Sequence, residues 1–477
     1  MLEGASYIDG TWAASGERQE IHNPAEWDEV VGVVGLAGSG EVNAAVSAAR
    51  RAFGSWHQLG PVARGNLLFQ AASRIESSVD ELAQLASREM GKPIGETRGE
   101  ALRAVAILRY YAGEGMRGLG DVIPASNART LQYTTRVPLG PVAIITPWNF
   151  PLAIPMWKMA PALIYGNTVV VKPAEWSSLT AVRMWQLMAD LFPPGVANLV
   201  LGLGSTVGEA LIQHPDIRGI SFTGSVAVGS HIADVATRRG VKYQTEMGGK
   251  NAVVVSEDAD LDRAVNAIIS GAMRSAGQKC TATSRVIVFE AAHDALMSRM
   301  REQLATIKVG NPLDPDTYLG PVVSEAQYQK VLKYIEIGEQ EGRLVAGGSL
   351  QPANWGRGFY IQPTLFDQVE PESRIAQEEI FGPVVAAMTV RSLDEAISVV
   401  NGIPYGLSAS IFTRNLKTAL DFVERAEVGL VRVNDETAGV ELQAPFGGMK
   451  GSSSHSREQG RAAIEFYTDV KTVAICP

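Results

Sequence analysis

Two periodicities divide the chain. Apolar positions recur at helical spacing over residues 41–53 and 62–90. In the longer run Leu67, Leu68, Ala71, Ile75, Val79, Leu82 and Leu85 share one face until Gly91 and Pro93 end it. A third helix is expected over 96–116. Before these helices, YIDGTW and EVVGVVGL read as short strands with a turn at Asn23-Pro24. From 141 to 245 short β-branched runs alternate with amphipathic stretches. The strands are PVAIIT, TVVVKP, ANLVLG, GISFTGS and VKYQTE; the helices are expected over 154–164, 179–192, 206–213 and 225–238. A second alternating region runs from AVVV (252–255) to GLVRVN (429–434). Such alternation predicts parallel sheets covered on both faces, hence an α/β fold of two domains with a cleft between them. Residues 120–137 and 465–477 alternate instead like exposed strands. Strands without a local partner need a sheet, so these two are expected to join subunits.

Composition narrows the class. A chain of 477 residues exceeds one small core, and 46% apolar with 19% charged residues is ordinary for a globular protein. The 48 glycines suit many strand–helix turns. A net charge of −9 without a basic run argues against nucleic acid as a partner. Two cysteines build neither a disulfide scaffold nor a zinc site, and the six histidines show no metal-ligand spacing, so no metal is expected. The start, MLEGASYIDGTW, lacks signal-peptide features, which makes the cytoplasm the expected location. From Val137 to Trp157 there are 21 uncharged residues, the length of a membrane span. Five prolines and Asn149 interrupt them, so a strand, a turn and a helix start are expected there, and no membrane span.

Candidate chemistry centres on Cys280. Small residues before it (Ala276, Gly277) and hydroxylated ones after it (Thr281, Thr283, Ser284) suit a thiol in a tight polar turn. Backbone N–H groups close to the sulfur would lower its pKa and hold an oxyanion; the alternative is a structural cysteine. Ligands in parallel sheets bind at the carboxyl ends of strands, so the residues there are candidates. Lys172 and Glu175 after TVVV would hold a ribose, and the carboxylate would repel a 2′-phosphate; a solvated surface pair is the alternative. Gly224 and Ser225 after GISFT open a helix able to face a pyrophosphate, or form an ordinary glycine turn. Asn149 in PWNFP offers an amide to an oxyanion or is a turn residue. Glu246, beside Gly248 and Gly249, is a candidate general base or an exposed acid.

In this order TPWNFP, KPAE, FTGS, EMGGKN, GQKC, EEIFGP and PFGGMKGS resemble the NAD(P)-dependent aldehyde dehydrogenase superfamily over essentially the whole chain. The resemblance implies a Rossmann-like cofactor domain (1–119 and 138–248), an α/β catalytic domain (249–448) and a small β bridging segment (120–137 and 449–477) making homodimers or homotetramers. It implies Cys280 as nucleophile, Asn149 and the Cys280 N–H as oxyanion hole, and Glu246 as general base. Thr146, Pro147, Trp148, Lys172, Glu175, Gly224, Ser225, Glu379 and Phe381 match cofactor positions, for NAD with NADP possible.

The substrate is less sharply written. Arg274, six residues before Cys280, is expected to hold a substrate carboxylate, with a structural salt bridge as alternative. Succinate-semialdehyde dehydrogenases also carry an arginine eight residues after the motif asparagine, where this chain has Trp157. MRSAGQKCTATSR, AGVELQAPFGGMK and SSSHSREQG look like the α-ketoglutarate-semialdehyde (2,5-dioxopentanoate) dehydrogenases, with Trp157 and Phe446 as an aromatic wall. A broad-range aliphatic or aromatic aldehyde dehydrogenase is the next reading, and a succinate-semialdehyde dehydrogenase, against which Trp157 counts, is another. CoA-acylating and non-enzymatic relatives are disfavoured because Glu246 and Cys280 are both kept.

Overall fold

Runs such as Val169–Val171 and Ala252–Val255 are buried on every side chain, which requires sheets covered on both faces. The computed structural model of the chain describes residues 2–13, 15–349 and 355–476. One seven-stranded sheet runs in the order Lys242–Glu246, Gly219–Thr223, Pro141–Ile145, Thr168–Lys172, Ala197–Leu199, Ser6–Ile8 and Thr11–Ala13. Its first five strands are parallel, and the last two close the edge as an antiparallel hairpin. The register aligns the carboxyl ends: Thr223 lies opposite Glu246, and Ile145 opposite both Phe222 and Lys172.

A second seven-stranded sheet runs Arg343–Ala346, Thr364–Asp367, Val384–Val390, Thr283–Phe289, Asn251–Val255, Ser408–Phe412 and Leu430–Val433. Only its first pairing is antiparallel. Each sheet has its own apolar core, centred on Ile144, Val169 and Leu163 in one and on Val254, Ile287 and Ala387 in the other.

The long helical run over 62–90 is two helices, Pro61–Glu76 and Val79–Met90. The apolar phase continues across the break, but Ser77 turns its hydroxyl back onto the Arg74 carbonyl (2.8 Å). Such a bond offers the backbone an alternative to the helical ladder. The helix expected over 206–213 opens as a wider π turn, Gly204–Gly208, before Glu209–Gln213. The uncharged segment after Arg136 forms the end of a strand, the strand Pro141–Ile145, a turn and the helix Ala153–Ile164. Among the described residues no helix is long and apolar enough to cross a membrane.

The two segments without a local partner pair with each other. Val122–Ile123, Leu131–Pro138 and Thr468–Ile475 make an antiparallel three-stranded sheet with Thr134 opposite Thr472. Asn167 fastens it to the body. Its buried side-chain oxygen accepts from Leu139 N (2.8 Å) and Gly140 N (3.1 Å), while its amide donates to Ala162 O (3.2 Å) and Tyr467 O (2.9 Å). Replacing Asn167 with Ala leaves these buried groups unpaired, at a cost on the order of 3 kcal/mol. The expected outcome is a lower urea midpoint at unchanged slope; an unmoved midpoint would show that water takes over all four bonds.

Candidate functional site

Cys280 follows a sharply turned loop. Ser275, Ala276 and Gly277 are all left-handed, with φ of 56°, 52° and 68°. Gly277 has no alternative, because a Cβ there would sit 2.1 Å from the Gly382 carbonyl oxygen. Ties from distant parts of the chain hold the turn. Glu96 accepts from Ser275 N (3.0 Å) and Oγ (2.6 Å). The Gln278 side chain bridges Ser275 O (3.1 Å) and Val323 N (3.0 Å). Asn251 Nδ2 donates to Cys280 O (2.8 Å) and Ala282 O (2.9 Å), and Thr437 Oγ1 donates to Thr281 O (2.8 Å).

The Asn149 amide reaches this loop, donating to Gln278 O (2.9 Å) while its own Oδ1 has no partner among the described residues. The backbone of Asn149 is fixed in turn. Buried Lys92 donates to Asn149 O (2.7 Å) and pairs with Glu100 (2.7 Å), and its ammonium lies 3.9 Å from the centre of the Phe150 ring. Glu100 also accepts from Leu152 N and Ala153 N at the start of the following helix.

Two cavities meet at Cys280. One, of about 200 Å³, is lined by Pro147, Trp148, Asn149, Thr223, Gly224, Ser225, Gly248, Gln327, Lys330, Glu379 and Phe381. The other, of about 280 Å³, is lined by Glu96, Glu100, Arg103, Phe150, Trp157, Thr281, Val440, Phe446 and Gln459. Cys280 belongs to both walls. This arrangement suits a reaction in which one molecule reaches the sulfur from each side.

The charges around the sulfur are unusual. Burial, reinforced by the nearby carboxylates of Glu379 and Glu246, pushes the Cys280 thiol up to about 12. The expected lowering by backbone N–H groups is present, from Thr281 and Cys280 itself, but the opposing effects outweigh it. Burial and Glu458 push Glu246 well above the usual carboxylate range; Ser453 Oγ, donating to Oε2 (2.6 Å), works the other way. Oε1 of Glu246 has no partner among the described residues. Burial likewise raises Glu379, whose Oε1 accepts from Gly249 N (3.1 Å). A Cβ on Gly248 would meet the Glu379 carboxylate at 2.2 Å, so a side chain there would displace it.

The candidate cofactor residues lie along the carboxyl ends of the first sheet. Lys172 Nζ donates to Pro173 O (2.9 Å) and Glu175 Oε1 (3.2 Å), and Gly204 N donates to the same Glu175 oxygen (2.7 Å). Ser225 caps the helix Val226–Arg239, accepting from Val228 N (3.4 Å). The Oγ1 atoms of Thr146 and Thr223 are buried without partners among the described residues. Phe381 holds a left-handed φ of 61° and meets Trp148 edge-on, their rings 5.6 Å apart.

Trp157 and Phe446 stand together in the second cavity, their rings 5.6 Å apart. Arg274 does not join them. Its side chain is exposed and lies over the Tyr318 ring, 5.9 Å from its centre, rather than in the cavity wall. The physical reason is the left-handed turn beginning at the next residue, which separates nearness in sequence from nearness in space.

Sequence reasoning missed several groups. Gln327 donates to Ile380 O (3.3 Å) and Phe381 O (2.8 Å), fixing the strained Phe381 turn, and Lys330 stands near Glu379. Lys158 and Glu458 form a buried ion pair, with Lys158 also donating to Ser221 Oγ (3.0 Å). The signal available for Lys158 was its place as the first charge after the long uncharged segment. Ser453 lies in SSSHSREQG, a stretch the sequence singled out without showing its contact with Glu246.

A cysteine is thus shared by two cavities and flanked by a side-chain amide and buried carboxylates at the carboxyl ends of a parallel sheet, the layout of an enzyme site. Residues 12–473 match the model of the aldehyde dehydrogenase family. The chain is 49% identical to an alpha-ketoglutaric semialdehyde dehydrogenase of Bacillus subtilis, covering 99% of this chain and 98% of that one. It is 41% identical to an alpha-ketoglutarate semialdehyde dehydrogenase of Haloferax volcanii, with 98% of each covered. The crystal structure of an NAD-dependent aldehyde dehydrogenase from Sinorhizobium meliloti superposes with a TM-score of 0.97 at 36% identity, covering 100% of this chain and 95% of that one. The chain belongs to the aldehyde dehydrogenase family.

Two measurements test the electrostatics. In a Cys476→Ser background, alkylation of the free protein by iodoacetamide should accelerate about tenfold per pH unit from roughly pH 7 to 10. A plateau near the ordinary thiol pKa would refute the raised value. Ser453→Ala removes a bond that favours the Glu246 carboxylate, so its pKa rises further. The ascending limb of the pH–kcat profile should therefore move up by about one unit; a downward shift or none would show that Glu246 does not control it.

Proposed function

We propose that the protein oxidises an aldehyde to a carboxylic acid with Cys280 as nucleophile, Glu246 as general base and Asn149 as oxyanion donor. The observation that carries this is the thiol shared by two cavities. The thiolate adds to the carbonyl carbon, and the developing oxyanion takes hydrogen bonds from the Cys280 N–H and from the Asn149 N–H not spent on Gln278. Loss of hydride leaves the acyl group on sulfur as a thioester. Glu246, once ionised, takes a proton from water, whose oxygen attacks the thioester carbon and releases acid and thiol.

The first cavity would take the nicotinamide end of NAD, which when bound would supply the hydride acceptor. Partnerless Thr146 Oγ1 and Thr223 Oγ1 and the capped helix at Gly224-Ser225 suit its polar parts. Lys172 and Glu175 would hold the adenosine ribose, and Glu379, Phe381, Pro147 and Trp148 the nicotinamide end. Glu175 disfavours a 2′-phosphate, with NADP admitted where that carboxylate turns away. Residues 1–119 and 138–248 would form the cofactor domain, 249–448 the catalytic domain, and 120–137 with 449–477 the bridging segment. Exposed Val122, Val470 and Ile475 on the three-stranded sheet support a homodimer or homotetramer. Two free cysteines suit the cytoplasm.

For the substrate we propose α-ketoglutarate semialdehyde, on the strength of the similarity to the Bacillus and Haloferax enzymes. Trp157, Phe446 and Phe150 in the second cavity favour uncharged aliphatic or aromatic aldehydes as the other reading. Initial rates of NADH formation on α-ketoglutarate semialdehyde, succinate semialdehyde, hexanal and benzaldehyde decide between them. The keto-semialdehyde should lead; equal or better rates with hexanal or benzaldehyde would make this a broad-range enzyme. Glu246→Gln should give one NADH per site in a burst and then slow turnover. An unaltered steady state would assign the base elsewhere.

A further inference from the structure

Among the residues lining the substrate-side cavity, Arg103 is the one basic side chain. It comes from the helix Ile94–Glu114, which also brings Glu96 and Glu100 to that cavity at helical spacing. Both acids are already engaged, Glu96 by Ser275 and Glu100 by Lys92 and two backbone N–H groups. Arg103 has no such partner. Its Nη2 donates to Val440 O and more distantly to Gln459 Oε1 (3.4 Å), and it forms no ion pair among the described residues. Its Nε and Nη1 therefore keep N–H groups free.

This is costly for a half-buried guanidinium. Burial lowers its affinity for its proton, and exposed Glu441 offsets that only in part. An arginine held in a cavity wall by neutral oxygens, with part of its fork unspent, is a receptor for an anion. The cavity ends at the Cys280 sulfur, so the anion belongs to the molecule whose carbonyl carbon meets the thiol.

We propose that Arg103 holds the distal carboxylate of an aldehyde acid while the aldehyde lies at Cys280. This rests on the reading of Cys280 as the nucleophile and deepens the proposed preference for a keto-semialdehyde. It transfers to Arg103 the part first expected of Arg274. The aromatic pair Trp157 and Phe446 walls the carbon chain between the two ends.

The experiment compares kcat/KM for α-ketoglutarate semialdehyde and succinate semialdehyde with that for hexanal and benzaldehyde, in wild type, Arg103→Met, Arg103→Lys and Arg274→Ala. Unfolding midpoints and NAD affinity are measured alongside. In Arg103→Met the ratio of carboxylate-bearing to uncharged aldehydes should fall on the order of 100-fold, through KM more than kcat. Arg103→Lys, which keeps the charge but loses the fork, should recover part of the ratio. A merely structural Arg103 would lower all four aldehydes together, which overturns the proposal. Collapse of the ratio in Arg274→Ala instead of Arg103→Met also overturns it.

The two readings fail separately. If wild type favours the keto-semialdehyde and Arg103→Met keeps that preference, the anchor falls and the substrate reading stands. If wild type favours another carboxylate-bearing aldehyde and Arg103→Met loses it, the anchor stands and the keto-semialdehyde falls. If wild type shows no preference for any carboxylate, both fall.

Discussion

Everything in this site depends on a left-handed turn of three residues, Ser275 to Gly277, with two residues between it and Cys280. Ser275 and Ala276 adopt φ values that an L-residue avoids, at a cost of about 1–2 kcal/mol each. Glu96 offsets part of this by accepting both the backbone N–H and the hydroxyl of Ser275. Gln278, Asn251, Thr437 and Asn149 each fasten a different point of the same loop. These ties come from both sheets and from the helix Ile94–Glu114, so the position of the sulfur reports the assembly of the whole chain. A thiol that must meet one molecule on each side needs this rigidity, because a small displacement closes one cavity against it.

Much of the fold was legible because its signals are local. β-Branched runs bounded by glycine and proline located the strands, and the Pro-rich uncharged segment resolved into strand, turn and helix as its backbone demands. The break at Ser77 was not legible, since Ile75, Val79 and Leu82 keep a helical phase across it. The pairing of 122–138 with 468–475 was invisible for the opposite reason: each strand was plain, but nothing local names a partner hundreds of residues away.

The site follows the same rule. Small residues around Cys280 announced a tight turn. Burial first, and then Glu379 and Glu246, which the fold brings from elsewhere, raise the thiol's pKa against the lowering by the local N–H groups that the sequence led us to expect. Arg274 was attractive through nearness in sequence, yet the turn that places the sulfur also leaves this arginine on the surface. Arg103 had no local signal, because its isolation from carboxylates is a fact about space.

The electrostatics carry a further consequence. Burial raises Cys280, Glu246 and Glu379 together, with Glu379 and Glu246 adding to the effect on Cys280 and Glu458 to that on Glu246, so the resting site avoids concentrating negative charge in a dry place. Positive charge entering the cavity lined by Glu379 and Phe381 favours the ionised form of each. Thermodynamic linkage then works in both directions: such a charge promotes the thiolate, and the thiolate tightens the hold on the charge. A thiol governed in this way ionises more readily once such a charge is in place. Burying two carboxyl groups beside one thiol thus couples the occupancy of the cavity lined by Glu379 and Phe381 to the charge state of Cys280.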